Sequence, residues 1–138
     1  MEFLLDRRLA ADSLAVTELP LCEVRLMNNK LFPWLILIPK RPDVSEWIDL
    51  AREDQHQLSD EIAILSHLMT ALVTPDKLNI AALGNQVRQL HVHLIARYKS
   101  DSAWPNPVWG GACEVYEEDE SRRFIYDLKT AIDSLQFS

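Results

Sequence analysis

Gln89-Leu90-His91-Val92-His93-Leu94-Ile95 carries two of the chain's four histidines, two residues apart, in a segment that reads as a β-strand. Successive strand side chains point to opposite faces. Gln89, His91 and His93 are therefore expected to form a polar row on one face, while Leu90, Val92 and Leu94 pack on a core from the other. A polar row with apolar alternates serves a pocket better than a bare sheet. Imidazole near neutral pH acts as nucleophile, proton donor or metal ligand according to its neighbours.

Outward from this row, residues 77–83 read as a strand, Gly84-Asn85 as a turn and 87–97 as the histidine strand, which makes a hairpin or meander. Upstream, Trp34-Leu35-Ile36-Leu37-Ile38 is a buried strand bracketed by Pro33 and Pro39. Before it come a strand over 21–27 and the turn Asn28-Asn29-Lys30. A long helix is expected over 54–73, where Leu58, Ile62, Leu65, Met69 and Leu72 recur at three- and four-residue steps. Thr74-Pro75-Asp76 ends it. Helical spacing also covers 3–13 and 120–135, the latter with Phe124, Leu128, Ile132 and Leu135 as its buried face. Residues 44–50 suit a short helix or turn capped by Asp43 or Ser45. Short connections between strands, with helices interspersed, predict an α+β domain over 1–138: an antiparallel sheet with packed helices.

Composition narrows the function classes. The chain has 138 residues, 48% hydrophobic and 25% charged, enough for a core without disulfides. Fourteen basic and 21 acidic residues give a formal charge of −7. A nucleic-acid-coating surface needs a basic stripe, so no nucleic-acid partner is expected. Local phosphate binding through backbone N–H groups and a few cations stays compatible with that charge. Cys22 and Cys113 are too few for a disulfide framework, and a reduced cytoplasmic compartment is the simplest reading. No membrane association is expected, because the longest apolar run, 31–38, contains Pro33 and is far short of a span.

Three chemistries fit the histidine row. The histidines could be satisfied polar residues on a half-exposed sheet. They could hold a metal, but His56 and His67 lie eleven residues apart on the long helix and cannot reach one ion together. Or they could catalyse at phosphorus, with His91 attacking a phosphoryl group, His93 assisting and the Gly84 turn offering N–H donors to the oxygens.

Gly84-Asn85-Gln86-Val87-Arg88-Gln89-Leu90-His91-Val92-His93-Leu94-Ile95 resembles the signature of the histidine-triad (HIT) superfamily, in which three histidines alternate with apolar residues. Phe32-Pro33-Trp34-Leu35-Ile36-Leu37-Ile38-Pro39-Lys40 resembles the family's upstream strand, and Trp104-Pro105 a Trp-Pro found after the motif. The branch it looks most like is the bacterial proteins related to dinucleoside-polyphosphate hydrolases. Gln89 stands at the first histidine position, where it can hydrogen-bond but not donate a proton as an acid. Trp34 stands where many members carry another histidine.

The resemblance implies a homodimeric nucleotide hydrolase or nucleotidyl transferase, with a purine nucleotide or dinucleoside polyphosphate as substrate and no cofactor. It makes His91 the nucleophile, with His93 and Gln89 beside it. Gly84, Asn85 and Gln86 become a phosphate-binding turn, Asn79 orients the substrate, and Asn28 or Asn29 lies near the ribose. Apart from the resemblance, Arg97 shares the parity of His91 and His93 and could reach a phosphate or be a solvated strand-end charge. Trp104 and Trp109 could wall a base or pack their loop against the core or a dimer partner. A nucleotide-binding module with weak chemistry is the competing class.

Overall fold

The strand Trp34–Pro39 (β3) is buried at every residue, as an unbroken apolar run in the middle of a covered sheet requires. Cys22–Met27 (β2) and Val92–Arg97 (β5) flank it, and Ser13–Glu18 (β1) and Lys77–Ala81 (β4) form the edges. The order is β1-β2-β3-β5-β4 and every pairing is antiparallel. Among the described residues three helices, Arg7–Asp12 (α1), Arg52–Val73 (α2) and Glu118–Asp133 (α3), complete the α+β fold. The computed structural model describes residues 1–135. Among them no helix is long and apolar enough to cross a membrane.

The sheet has two covered faces. On one, Val24, Leu26, Leu35, Leu37, Leu90, Val92, Leu94 and Ala96 meet Leu58, Leu65 and Met69 of α2 and Leu128 and Ile132 of α3. On the other, Trp34, Ile36, Ile38 and Ile95 pack with Leu9, Phe32 and Val108. Phe3, Leu5 and Trp109 close that second cluster from the N-terminal segment and the loop after β5. Period-two alternation in β5 thus sends His93 to the second face, the one covered by loops.

Glu61 joins the helical layer to the sheet. It is fully buried on α2, and its carboxylate accepts the N–H groups of Leu21 and Cys22 at 2.8 and 2.9 Å. These charge-assisted bonds satisfy a charge that burial would otherwise penalise heavily. Burial also pushes the neighbouring Cys22 thiol upward, helped by the Glu61 charge. α2 ends where Thr74 turns into the left-handed region at φ 45° ahead of Pro75.

Several expected boundaries move. The helix expected over 3–13 is confined to Arg7–Asp12, begun by Asp6, whose carboxylate accepts the N–H groups of Arg8 and Leu9. An unexpected edge strand, β1, follows at once. Its register shifts between Ala15 and Thr17, so Ser13 and Val16 are buried three residues apart and the period-two signal is lost. The short element at 44–50 is a single 3-10 turn, Trp47–Asp49, capped by Glu46 and Asp49 in a reciprocal box. α3 starts at Glu118 because Glu117 and Glu120 form such a box too. Leu135, expected in its buried face, is exposed. The histidine strand begins at Val92 rather than 87, and residues 82–91 are irregular.

Candidate active site

His93 lies in β5 opposite Ile36 of β3 and Ala81 of β4, and His91 stands just before that strand. Their rings meet edge to face with centroids 4.8 Å apart, and both residues are buried. Hydrogen bonds fix a different tautomer in each. His91 Nδ1 lies 2.7 Å from the Gln89 carbonyl oxygen. A carbonyl can only accept, so Nδ1 carries the hydrogen, and in the neutral ring the lone pair falls on Nε2. His93 is reversed: its Nε2–H donates to the Leu83 carbonyl at 3.0 Å, and its Nδ1 accepts the Trp34 Nε1–H at 3.0 Å. Burial pulls the His93 imidazole down to about 4, with the adjacent His91 adding to the effect against the opposing pull of the Leu83 carbonyl. It is therefore neutral at physiological pH.

The two rings line a cleft of about 420 Å³ with Arg8, Asp12, Trp34, Trp109 and the turn carrying Gly84, Asn85 and Gln86. Gly84 packs directly on His91. A Cβ there would fall 2.6 Å from the Val87 carbonyl oxygen and 3.2 Å from His91 Cε1, so only glycine lets the turn approach so closely. Trp109 sets its ring edge-on to His93 and to Trp34, with centroids 5.0 and 6.0 Å away. Beyond Trp109 and Asp12 an adjoining hollow of about 400 Å³ is lined by Asn28, Asn29 and Cys113.

The expected site residues divide into two groups. His91, His93, Gly84, Asn85 and Gln86 share the cleft, and Asn28 lines the adjoining hollow, its Oδ1 accepting the Tyr116 N–H at 3.0 Å. Gln89 does not share it. Strand parity cannot extend back to residue 89 when the strand begins at Val92, and the side chain turns to the N-terminal segment, bonding the Leu4 carbonyl and the Asp6 N–H. Asn79 and Arg97 are spent on each other, Nη1 to Oδ1 at 2.9 Å. Arg97 is buried, paired with Asp101 through two nitrogens, and lies between the rings of Phe32 and Trp104. Trp104 thus supports Arg97, whereas Trp109 walls the cleft.

Arg8 and Asp12 are the charged residues of the cleft, and the sequence did not single them out. On a short charged helix they read as solvated, and contacts with distant parts of the chain, Gln89 among them, bring that helix to the histidines. Among the described residues no cluster of three or more His, Cys, Asp or Glu is placed to hold a metal.

A five-stranded antiparallel sheet with histidines on its loop-covered face defines a HIT-type protein, and the chain belongs to that family: the HIT domain matches residues 8–100. Among solved structures it is similar to a histidine triad protein of Bradyrhizobium japonicum, at 44% identity over 96% of this chain and 99% of that one, with a TM-score of 0.93. A histidine triad protein of Marinobacter aquaeolei is similar at 42% identity, over 99% and 100% of the two chains, with a TM-score of 0.94. The diadenosine triphosphate hydrolase of Plasmodium falciparum, solved with Cyclomarin A, shares the fold at 16% identity, with a TM-score of 0.67 over 100% and 86% of the chains. No curated protein matches the sequence.

Proposed function

We propose that the protein is a nucleotide hydrolase or nucleotidyl transferase that cleaves at an α-phosphate through a nucleotidyl-His91 intermediate. The observation that carries this is the 2.7 Å bond from His91 Nδ1 to the Gln89 carbonyl. It holds the proton on Nδ1, so that in the neutral ring Nε2 is the nucleophile, and the Gly84 turn packs on the same ring. In the first step Nε2 forms a bond to the α-phosphorus while the bond to the leaving group breaks. The Gln89 carbonyl stabilises the positive charge that the ring acquires. In the second step water attacks the same phosphorus and gives up a proton to solvent, the N–P bond returns its electrons to Nε2, and a nucleoside monophosphate leaves. Gly84, Asn85 and Gln86 line the cleft where the phosphate oxygens would sit, and Asn28 lines the hollow where the nucleoside would extend. Nucleoside phosphoesters, phosphoramidates and dinucleoside polyphosphates are the substrate classes.

One observation favours a second reading, a nucleotide-binding module with weak chemistry. Both ring nitrogens of His93 are engaged and Gln89 is turned away, so His91 works without a titrating partner of its own kind. Incubation with a dinucleoside polyphosphate separates the two. Wild-type protein is expected to release monophosphate, and His91→Ala to show only background. Equal background in both, with nucleotide binding intact, removes the enzyme reading and leaves the binding module.

A further inference from the structure

The Gln89 side chain holds two backbone groups 85 and 83 residues away: Nε2–H donates to the Leu4 carbonyl and Oε1 accepts the Asp6 N–H, each at 2.8 Å. One primary amide thus pairs with the extended segment before α1 as a neighbouring strand would, donor to acceptor and acceptor to donor. Asp6 then caps α1 through the Arg8 and Leu9 N–H groups. α1 has six residues, of which only Leu9 is buried, and so short a helix has no stability of its own. Its far end is tied to the sheet, where the Asn28 N–H and the Arg25 guanidinium bond the Asp12 and Ala10 carbonyls at 3.0 and 3.4 Å. Its first turn, which carries Arg8, rests on the Leu9 anchor and the Gln89 clamp.

What α1 delivers is Arg8, the one cation among the described residues lining the cleft. Its ion pair with Asp12 is loose at 3.9 Å, with both side chains 59% exposed. Such a pair is worth little, so the guanidinium is free to exchange onto a better anion. The rest of the cleft bears on the leaving group. An amine must be protonated as its bond to phosphorus breaks, whereas a phosphate departs with the electron pair on oxygen. His93 has no ring nitrogen to spare, and Gln89 has no acidic proton and points elsewhere. The site is short of an acid for an amine and holds a cation for an oxyanion.

We propose that Gln89 is a positioning residue that keeps Arg8 at the cleft to bind an anionic leaving group, so that the preferred substrates are phosphoanhydrides in which His91 displaces a phosphate or a nucleotide. The proposal rests on the nucleotidyl-histidine reading above. The Nε2–P bond forms as the bridging P–O bond breaks, the electron pair stays on the bridging oxygen facing Arg8, and no proton moves in that step.

The test compares kcat/KM on a dinucleoside triphosphate and on adenosine 5′-phosphoramidate for wild type, Arg8→Gln, Arg8→Lys and Gln89→Ala. Arg8→Gln and Gln89→Ala should each lower the anhydride-to-phosphoramidate ratio about tenfold, the scale of one charge-assisted contact. Arg8→Lys should keep most of the ratio, and the double variant should fall no further than Arg8→Gln alone. A ratio that stays constant while both rates drop means a structural effect and overturns the proposal. So does a loss in Gln89→Ala that Arg8→Gln does not share. Arg8 is exposed, so its variants keep the fold even if Gln89→Ala does not. Should wild type turn over neither substrate, the hydrolase reading falls by itself, and calorimetric binding of ATP relative to AMP decides the rest. A tenfold lower preference for ATP in Arg8→Gln retains the anion assignment, and an unchanged preference removes it.

Discussion

His93 holds its charge state through its neighbours. Trp34 stands beside the ring, and its indole N–H gives Nδ1 a partner that binds the neutral imidazole. Because the folded imidazole sits near 4 and an unfolded one takes up its proton near 6.5, the folded state resists protonation. Its contribution is complete above about pH 6.5, declines as the pH falls towards 4, and changes no further below that. The drop is on the order of 3 kcal/mol by the usual conversion. Urea unfolding at pH 7.5 and 4.5 measures it, and His93→Asn should show a much smaller difference between the two. An equal difference in both proteins would place the acid sensitivity elsewhere.

At the scale of elements, the loop after β5 is held by a buried pair. Arg97 and Asp101 bond through two nitrogens and two oxygens, and Arg97 adds Asn79 and the Asn106 carbonyl. Asp101 also accepts the N–H groups of Tyr98, Ala103 and Trp104, which shapes the loop that carries Trp109 to the cleft. The Arg97 guanidinium is the main cause holding the Asp101 carboxyl down at about 2. Asp101→Asn leaves the guanidinium buried and uncompensated, at a cost of about 3–5 kcal/mol. Arg122→Ala, which breaks an exposed pair on α3, should cost less than about 1 kcal/mol. Urea denaturation of the two variants checks this, and similar midpoints would show that the loop is held by something else.

Across the whole molecule, the central strands and long helix were legible because each has a strong period or an unbroken apolar run. β1 was not, since its register shift spoils alternation. The histidine row was legible only in part: parity places His93 correctly on the loop-covered face but fails at Gln89, which precedes the strand. Arg8 could not have been found locally, because its place at the cleft depends on contacts between distant parts of the chain. The sheet also leaves β4 as an edge, and its own Ile80 is half-exposed. An unpaired apolar edge favours pairing with another copy, and the homodimer implied by the family resemblance is proposed there. Sedimentation velocity at micromolar concentration should give about twice the chain mass of 15.9 kDa, falling to one chain mass in Ile80→Lys. A wild-type monomer would reject it.

The two cysteines have a practical consequence. Cys22 is sealed in the core with its thiol pushed towards the unreactive form, while Cys113 is exposed on the wall of the hollow next to the histidine cleft. Thiolate is the reactive species, so a maleimide dye will distinguish the two without mutagenesis. The native chain therefore offers a single attachment point for an optical reporter, within sight of whatever enters the cleft.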